Sequence, residues 1–176
     1  MSAMLLKKIP VSIVYLCALI ALVSLPQAGP AKNPDKFKPF KLKTLDGTRK
    51  TLSDYANKAT LVDFFYPRCP YCNVALPKIQ TLYNTYKDHG LSVVLINVVP
   101  EENKLIPKWI EKYNVSLPVL VGASQESLQR DYEIKATPTE YLLGAKSEVL
   151  FYQSGYKPGD EKILETKVAE ALKINP

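Results

Sequence analysis

The sequence predicts an α/β fold in which a central mixed β-sheet is flanked by helices. Apolar segments of strand length alternate with segments of helical periodicity, and two consecutive strand-like segments precede the last helix. Ala59 to Phe65 and Leu91 to Val99 are almost continuously apolar, which is typical of central strands covered on both faces. The late strand pair, Thr139 to Leu143 and Glu148 to Gln153, predicts a hairpin, which makes the sheet mixed.

The other elements follow from period and turn signals. Phe37 to Leu45 alternates apolar and polar residues, and Asp46-Gly47 is a turn signal after which Thr48 to Leu52 can return as a second strand. Pro77 lies inside the helix that follows Cys72 and is expected to kink it. Apolar periodicity predicts four helices: one from Cys72 to about Lys87, and others over Glu101 to Tyr113, Gln125 to Tyr132 and Asp160 to Lys173. Leu117 to Val121 is predicted as a further short strand.

Length and charge exclude some classes of protein. The chain has 176 residues, which favours one domain, and a net charge of +6. Without Lys7 and Lys8 the 23 basic residues become 21 against 17 acidic ones, a net charge of +4. This charge is mild and evenly spread, so the sequence does not indicate a nucleic-acid partner.

The N-terminus has the pattern of an export signal. Lys7 and Lys8 precede the apolar segment 9–25, and small residues follow it near Ala28. We expect residues 1–29 to be a signal peptide or a membrane anchor, 30–36 a linker, and 37–176 the folded domain. Either form of the N-terminus places that domain outside the cytoplasm. Cys17 lies within the apolar segment, where we expect no role for it.

The segment Cys69-Pro70-Tyr71-Cys72 is the strongest chemical signal. It lies between a predicted buried strand and a predicted helix, so the partial positive charge of the helix N-terminus favours a thiolate at Cys69. We expect Cys69 to be exposed at the end of the strand, with Arg68 beside it. A thiolate is the nucleophile of thiol–disulfide exchange, so the layout indicates electron transfer through sulfur. A zinc site fits poorly, because His89 is the only other soft ligand and its turn position indicates a solvated side chain.

Three further positions extend this signal into a family resemblance. Asp63 precedes Cys69 by six residues in a Val-Asp-Phe context, Pro77 follows Cys72 by five, and Ala136-Thr137-Pro138-Thr139 precedes the last hairpin. This order and spacing resembles the thioredoxin superfamily and implies a thioredoxin-like fold.

The subgroup that the chain resembles is the TlpA/ResA-like thiol–disulfide oxidoreductases, of the AhpC/TSA-redoxin type. Pro39 to Gly47 with Leu52 to Tyr55 is similar to the N-terminal β-hairpin extension of that subgroup. Cys69 and Pro138 are 69 residues apart, which fits the subgroup's central helix-strand insert, here Glu101 to Val121. Arg68 stands where the family usually has Trp, and the dipeptide between the cysteines is Pro-Tyr, so the direction of electron flow stays open.

The resemblance implies a role for each matched residue. Cys69 attacks a substrate disulfide, Cys72 resolves the mixed disulfide, and Asp63, with a raised pKa, takes the proton of Cys72. Pro138 is implied to be cis and to abut the disulfide, while the backbone of Thr137 pairs with an extended substrate segment.

Residues around the cysteines are assigned to substrate docking. Tyr71, Pro70 and Arg68 are expected to shape the docking surface and to tune the thiolate. Trp109 lies on the apolar face of its predicted helix, so we interpret it as a core residue. No cofactor beyond the redox-active disulfide and no metal is expected. Expected partners are protein thiols and disulfides, with a membrane thiol carrier as electron donor.

Four functions are compatible with this pattern. The leading one is an extracytoplasmic reductase of protein disulfides, by resemblance in cytochrome c maturation, and its variant is a disulfide-forming or isomerising oxidoreductase. A peroxiredoxin-like peroxidase fits less well, because Tyr66 and Val62 stand where Thr and Pro are required relative to Cys69. A copper-delivery protein fits less well, because the Cys pair is one residue too short and His89 is close in sequence.

Overall fold

The computed structural model describes residues 36–174, and all elements below lie in this range. The predictions for residues 1–29 and for most of 30–36 lie outside the described residues. The strands are β1 (Lys41–Thr44), β2 (Arg49–Thr51), β3 (Ala59–Phe65), β4 (Leu91–Asn97), β5 (Val119–Val121), β6 (Thr139–Gly144) and β7 (Val149–Ser154). The helices are α1 (Pro70–Tyr86), α2 (Ile106–Tyr113), α3 (Gln125–Asp131) and α4 (Asp160–Leu172).

The seven strands form one mixed sheet in the order β2-β1-β5-β4-β3-β6-β7. β3 pairs in parallel with β4 on one side and antiparallel with β6 on the other, and β6 and β7 form the expected hairpin. β1 and β2 pair antiparallel and join the sheet through β5, so the N-terminal extension and the insert meet at one edge. The prediction of a mixed sheet with an N-terminal β-hairpin extension and a central helix-strand insert is confirmed.

Two apolar layers cover the two faces of the sheet. In one layer α1, α2 and α4 pack against Leu61 and Phe65 of β3. In the other layer α3 and the segment before β1 pack against Val62 and Phe64. Alternate residues of β3 thus face opposite layers, which places Asp63 on the same face as Leu61 and Phe65. β3 is buried along its whole length, as its apolar composition predicts.

Several predicted elements are shorter than their apolar patterns suggest, and in two of them the shortening has its cause in a proline. The strand predicted over residues 37–45 is confined to β1, because Pro39 lacks the amide needed for a sheet ladder. The first half of the helix predicted over residues 101–113 is a 3-10 helix, Pro100–Leu105. A regular α-helix there would set the ring of Pro107 against the carbonyl of Asn103. α1, by contrast, continues past Pro77 to its end.

Membrane-spanning structure was assessed for the described part of the chain only. None of the helices within residues 36–174 has both the length and the apolar character needed to cross a bilayer.

Candidate active site

The two cysteines are joined at the start of α1. The sulfur atoms of Cys69 and Cys72 are 2.10 Å apart and their Cα atoms 5.2 Å apart. β3 ends at Phe65, and the backbone then turns, with the amide of Cys69 donating to the carbonyl of Tyr66 at 3.0 Å. The strand-to-helix junction predicted from the sequence therefore carries the pair at the end of a central strand.

The N-terminus of α1 is aimed at the first sulfur. Cys69 is the N-cap residue, and the backbone amide of Cys72 donates to its Sγ at 3.1 Å. Pro70 is the first residue of the helix, where the missing amide hydrogen costs no hydrogen bond. A donor and a helix dipole directed at Sγ favour its charged form once the disulfide is reduced.

One expectation about the pair is wrong. Cys69 is only 2% exposed, no more than Cys72, which is also 2% exposed. The reason is that Sγ of Cys69 is enclosed by the helix start on one side and by Thr137 on the other. In the disulfide form, access to the first sulfur therefore depends on the residues around it.

Thr137 and Pro138 lie against the disulfide although they are distant in sequence. The peptide bond between them is cis, as predicted. The hydroxyl of Thr137 donates to Sγ of Cys69 at 3.5 Å, and the carbonyl oxygen of Thr137 lies 3.6 Å from the same sulfur. Pro138 is buried and directly precedes β6. The fold thus brings Thr137, Pro138 and the disulfide together, as the resemblance implied.

The insert holds the active-site loop at two places. Nε1 of Trp109 donates to Oδ1 of Asn73 at 2.7 Å, and Nδ2 of Asn73 donates to the carbonyl of Pro67 at 3.3 Å. The backbone amide of Arg68 donates to Oε2 of Glu102 at 3.0 Å. Trp109 is 5% exposed and stacks on Phe65 at 4.5 Å between ring centroids, so its core position is confirmed. Its hydrogen bond to the residue after Cys72 adds a link to the site.

The residues assigned to docking lie at the surface around the disulfide. Arg68, Pro70 and Tyr71 are exposed, and the side chain of Tyr71 is 60% exposed. Val74, one turn further along α1, is 51% exposed and was not singled out from the sequence. Two large apolar groups thus stand in water on the helix turn that carries the cysteines.

Asp63 lies buried on the cysteine-bearing face of the sheet. It is 2% exposed, and its Oδ1 has no hydrogen-bond partner among residues 36–174. Burial, and secondly the charge of Glu140, raises the pKa of Asp63 well above its usual range. A raised pKa is what the sequence predicted for this carboxyl.

Glu140 is a site residue that sequence reasoning missed. It is the cross-strand partner of Asp63 in the β3–β6 pair, and it is 4% exposed. Burial, and secondly the charge of Asp160, raises the pKa of Glu140 to about 7. The sequence did carry a signal for Glu140: it lies two residues after Pro138 in a segment predicted to be a strand. A charged residue in a buried strand is unusual, which marks it as a candidate site residue.

A cavity of about 320 Å³ adjoins Glu140. It lies between α1, α4 and the β6–β7 hairpin, and Glu140 is part of its wall. Lys78 pairs with Glu161 at 2.7 Å at this cavity, and its Nζ lies 5.6 Å from the ring centroid of Tyr156. Glu140 therefore faces a cavity whose wall includes neither of the cysteines.

The donor set for a metal is poor in the part of the chain that the structure describes. No group of three or more His, Cys, Asp or Glu residues is placed to hold an ion there. His89 is exposed in the 3-10 turn after α1, as expected, and both cysteines near the site are tied in the disulfide.

Fold and site together define a thioredoxin-like protein with a Cys-x-x-Cys disulfide at the start of its first helix. The sequence profile described as the AhpC/TSA family matches residues 34–152, and the chain belongs to this family.

Named relatives and a solved structure agree with that assignment. The chain is 30% identical to the thioredoxin-like protein YneN of Bacillus subtilis over 62% of this chain and 64% of YneN. It is 24% identical to the thiol-disulfide oxidoreductase ResA of Halalkalibacterium halodurans over 66% of this chain and 65% of ResA. The chain thus spans slightly under two thirds of the length of these two relatives.

The structural comparison covers more of the chain. A crystal structure from Chlorobium tepidum, described as a thiol:disulfide interchange protein DsbE, superposes with a TM-score of 0.72 at 25% identity. The match covers 80% of this chain and 98% of that one. It supports the thioredoxin-like fold over the described domain.

Proposed function

We propose that the protein is a thiol–disulfide oxidoreductase that reduces disulfides of other proteins through Cys69 and Cys72. The single observation that carries this proposal is the pair itself. Its first sulfur accepts the amide of Cys72 at a helix N-terminus and lies against Thr137 of a cis Thr137–Pro138 bond. The names of the relatives support the same chemistry, since ResA is a thiol-disulfide oxidoreductase.

In the first step the Cys69 thiolate attacks one sulfur of a substrate disulfide. A bond forms between Sγ of Cys69 and that sulfur, and the second substrate sulfur leaves with the electron pair as a thiolate. The helix dipole, the Cys72 amide and the Thr137 hydroxyl all face Sγ and lower the energy of the attacking thiolate.

In the second step Cys72 attacks Sγ of Cys69. The Cys72 thiol first gives its proton to Asp63, and the bond between Cys69 and the substrate then breaks, releasing the second substrate thiolate. The pair ends oxidised, and the substrate has gained two electrons. Burial of Asp63 suits this task, because a carboxyl with a raised pKa is a stronger base than a solvated one.

Docking is assigned to the exposed residues around the pair. Tyr71, with Pro70 and Arg68, offers an apolar and basic rim to a protein surface. The backbone of Thr137, two residues before β6, pairs with an extended substrate segment by strand addition.

The direction of electron flow depends on the reduction potential, and we propose the reducing direction. A membrane thiol carrier supplies the electrons, and cytochrome c maturation is the process in which such a reductant serves. Equilibration of the pair with glutathione or dithiothreitol tests the direction. A potential near that of thioredoxin, about −270 mV, supports it, and one near that of DsbA, about −120 mV, replaces it with disulfide formation.

Location outside the cytoplasm is part of the proposal. Lys7, Lys8 and the apolar segment 9–25 support export, with residues 1–29 as signal peptide or membrane anchor and 37–176 as the domain. Fractionation and N-terminal sequencing of the protein expressed from its full sequence test this. A start near residue 29 in a released protein indicates cleavage, an intact membrane-bound chain indicates an anchor, and a cytoplasmic protein refutes export.

Trapping tests the chemistry itself. When it reacts with a peptide disulfide, the reduced Cys72→Ser variant is expected to accumulate a mixed disulfide between Cys69 and the peptide. The Cys69→Ser variant is expected to form none. The wild-type protein is expected to turn over and leave no stable adduct. If Cys72→Ser and Cys69→Ser trap equally, or neither does, the assigned roles of the two cysteines are wrong.

A further inference from the structure

A buried acid pair, Asp63 and Glu140, lies on the face of the sheet that carries the disulfide. The β3–β6 register sets the two residues directly opposite each other, so their Cβ atoms are about 5 Å apart. Leu95 of β4 is the neighbour of Asp63 on the other side. In the described part of the chain, Oδ1 of Asp63 has no hydrogen-bond partner.

The two carboxyls differ in what they reach. Asp63 shares its face with Leu61 and Phe65, which belong to the same apolar layer as Cys72. Glu140 lies on the same face of β6 as Leu142, which belongs to this apolar layer, and it also lines the cavity beside α4. Asp63 therefore faces the cysteine layer, and Glu140 lies between Asp63 and the cavity.

We propose that Glu140 completes a proton relay: when Asp63 takes the proton of Cys72, Glu140 releases a proton of its own to the cavity beside α4. The relay rests on the oxidoreductase function proposed above and extends it. Glu140 does not touch the sulfur atoms, so it acts through Asp63 and is a positioning residue rather than a catalytic one.

The proton balance follows from the spacing of the pair. Two buried carboxyls this close do not readily ionise together, so the pair holds one proton and one negative charge around neutral pH. When Cys72 is deprotonated, its proton moves to the carboxylate of Asp63 and Glu140 releases its own proton to water in the cavity. The thiolate forms, one proton leaves, and the charge of the pair is unchanged.

Other titratable groups face Glu140 and set its environment. Gln153, its partner in β7, is neutral. The charged and ionisable side chains on the cavity wall are Lys78, Tyr156, Asp160, Glu161 and Glu165. Lys78 and Glu161 neutralise each other in their 2.7 Å ion pair. The charges that remain are mainly acidic. Burial, and secondly the charge of Asp160 among them, raises the pKa of Glu140, so that Glu140 can hold a proton near neutral pH.

Rapid mixing of the reduced protein with a chromogenic aromatic disulfide, dithiobis-nitrobenzoate, separates the two steps. Attack by Cys69 releases the first nitrothiobenzoate, and resolution by Cys72 releases the second. The variants are Glu140→Gln, which keeps the shape of the side chain, and Glu140→Asp, which keeps the carboxyl. Glu165→Gln is the matched control, since it makes the same change at the same cavity without contact with Asp63.

The relay predicts a selective effect. In Glu140→Gln the release of the second nitrothiobenzoate slows roughly three- to tenfold near neutral pH, while the release of the first is unchanged. The reason is that Asp63 loses the neighbour that releases a proton to the cavity and also loses the negative charge that helps to raise its pKa. For the same reason the pH profile of the second release moves to lower pH. In Glu140→Asp the rate of the second release is within about twofold of the wild-type rate across the pH profile. In Glu165→Gln the rate and its pH profile are those of wild type.

A double variant separates the relay from a structural role. If Asp63 and Glu140 act as a unit, Asp63→Asn combined with Glu140→Gln is no slower than Asp63→Asn alone. Equal second-release rates and pH profiles in wild type and Glu140→Gln overturn the relay, as do fully additive losses in the double variant. If the wild-type protein gives no second release at all, the oxidoreductase function fails instead.

Discussion

Nε1 of Trp109 donates a 2.7 Å hydrogen bond to Oδ1 of Asn73, the residue after the second cysteine. Through Nδ2 the same amide side chain bonds the carbonyl of Pro67, on the other side of the disulfide. Trp109 of the insert thus holds the side chain of Asn73, and Asn73 in turn connects the two ends of the Cys-x-x-Cys loop. The insert is therefore part of the active-site framework as well as an addition to the sheet.

Trp109→Phe is expected to destabilise the protein by about 1–2 kcal/mol, because the hydrogen bond is lost and Oδ1 of Asn73 loses its buried donor. Stacking on Phe65 is largely retained by the smaller ring. Urea unfolding of the oxidised protein measures the change. Tyr113→Phe is the control, because it removes a polar atom from the same helix without breaking a hydrogen bond. Equal midpoints for the two variants would show that the Trp109–Asn73 bond contributes nothing.

Stability is expected to fall as pH rises, because burial of Glu140 opposes its charged form. With a pKa of 4.5 when unfolded and about 7 when folded, this carboxyl contributes its full stabilisation below about pH 4.5. The contribution is lost as pH rises through about 7 and amounts to at most about 3 kcal/mol. Asp63 acts in the same direction, since its folded pKa is also raised.

Urea unfolding of the oxidised protein at about pH 4.5 and about pH 8 measures this slope. Glu140→Gln is expected to flatten it by about 1–3 kcal/mol and to be more stable than wild type at the higher pH. Glu165→Gln, which removes an exposed carboxyl of the same cavity, is expected to keep the wild-type slope. A Glu140→Gln slope equal to that of wild type would contradict a raised pKa for Glu140.

The Thr137 hydroxyl is expected to stabilise the Cys69 thiolate, because it donates to Sγ at 3.5 Å. Thr137→Val is therefore expected to raise the pKa of the Cys69 thiol, whereas Thr137→Ser, which keeps the hydroxyl, is not. Thiolate absorbance against pH, in the reduced protein with Cys72→Ala, measures the thiol. Identical titrations for Thr137→Val and Thr137→Ser would show that the hydroxyl does not stabilise the thiolate.

Several parts of this site were predictable because a local pattern fixes them. β3 was predicted with its observed bounds, because residues 59–65 are mostly apolar and the length and β-branched or aromatic content of this segment favour a buried strand. The cis bond before Pro138 followed from the family resemblance and its spacing. These signals depend on short runs of sequence, so they can be recognised without knowing which strands are neighbours.

What was missed depends on contacts between distant segments. Glu140 becomes a partner of Asp63 only through the β3–β6 register, which no single strand reveals. The burial of Cys69 depends on Thr137, 68 residues away. The prediction of an α-helix where the structure has the 3-10 helix before α2 was an error that local sequence could have prevented. Pro107 already excludes a regular α-helix across that segment.

Tyr71 is expected to act in docking rather than in chemistry, because its ring is 60% exposed one residue before Cys72. Tyr71→Ala should slow the reduction of a protein disulfide roughly three- to tenfold through a higher KM, since a lost aromatic contact is worth about 1 kcal/mol. Reduction of the small aromatic disulfide should be unchanged, because that substrate does not cover the rim. Ile163→Ala is the control, as Ile163 is a 49% exposed apolar side chain on α4. Equal loss with both substrates would place Tyr71 in the chemical step, and equal KM values for Tyr71→Ala and Ile163→Ala would remove it from the docking surface.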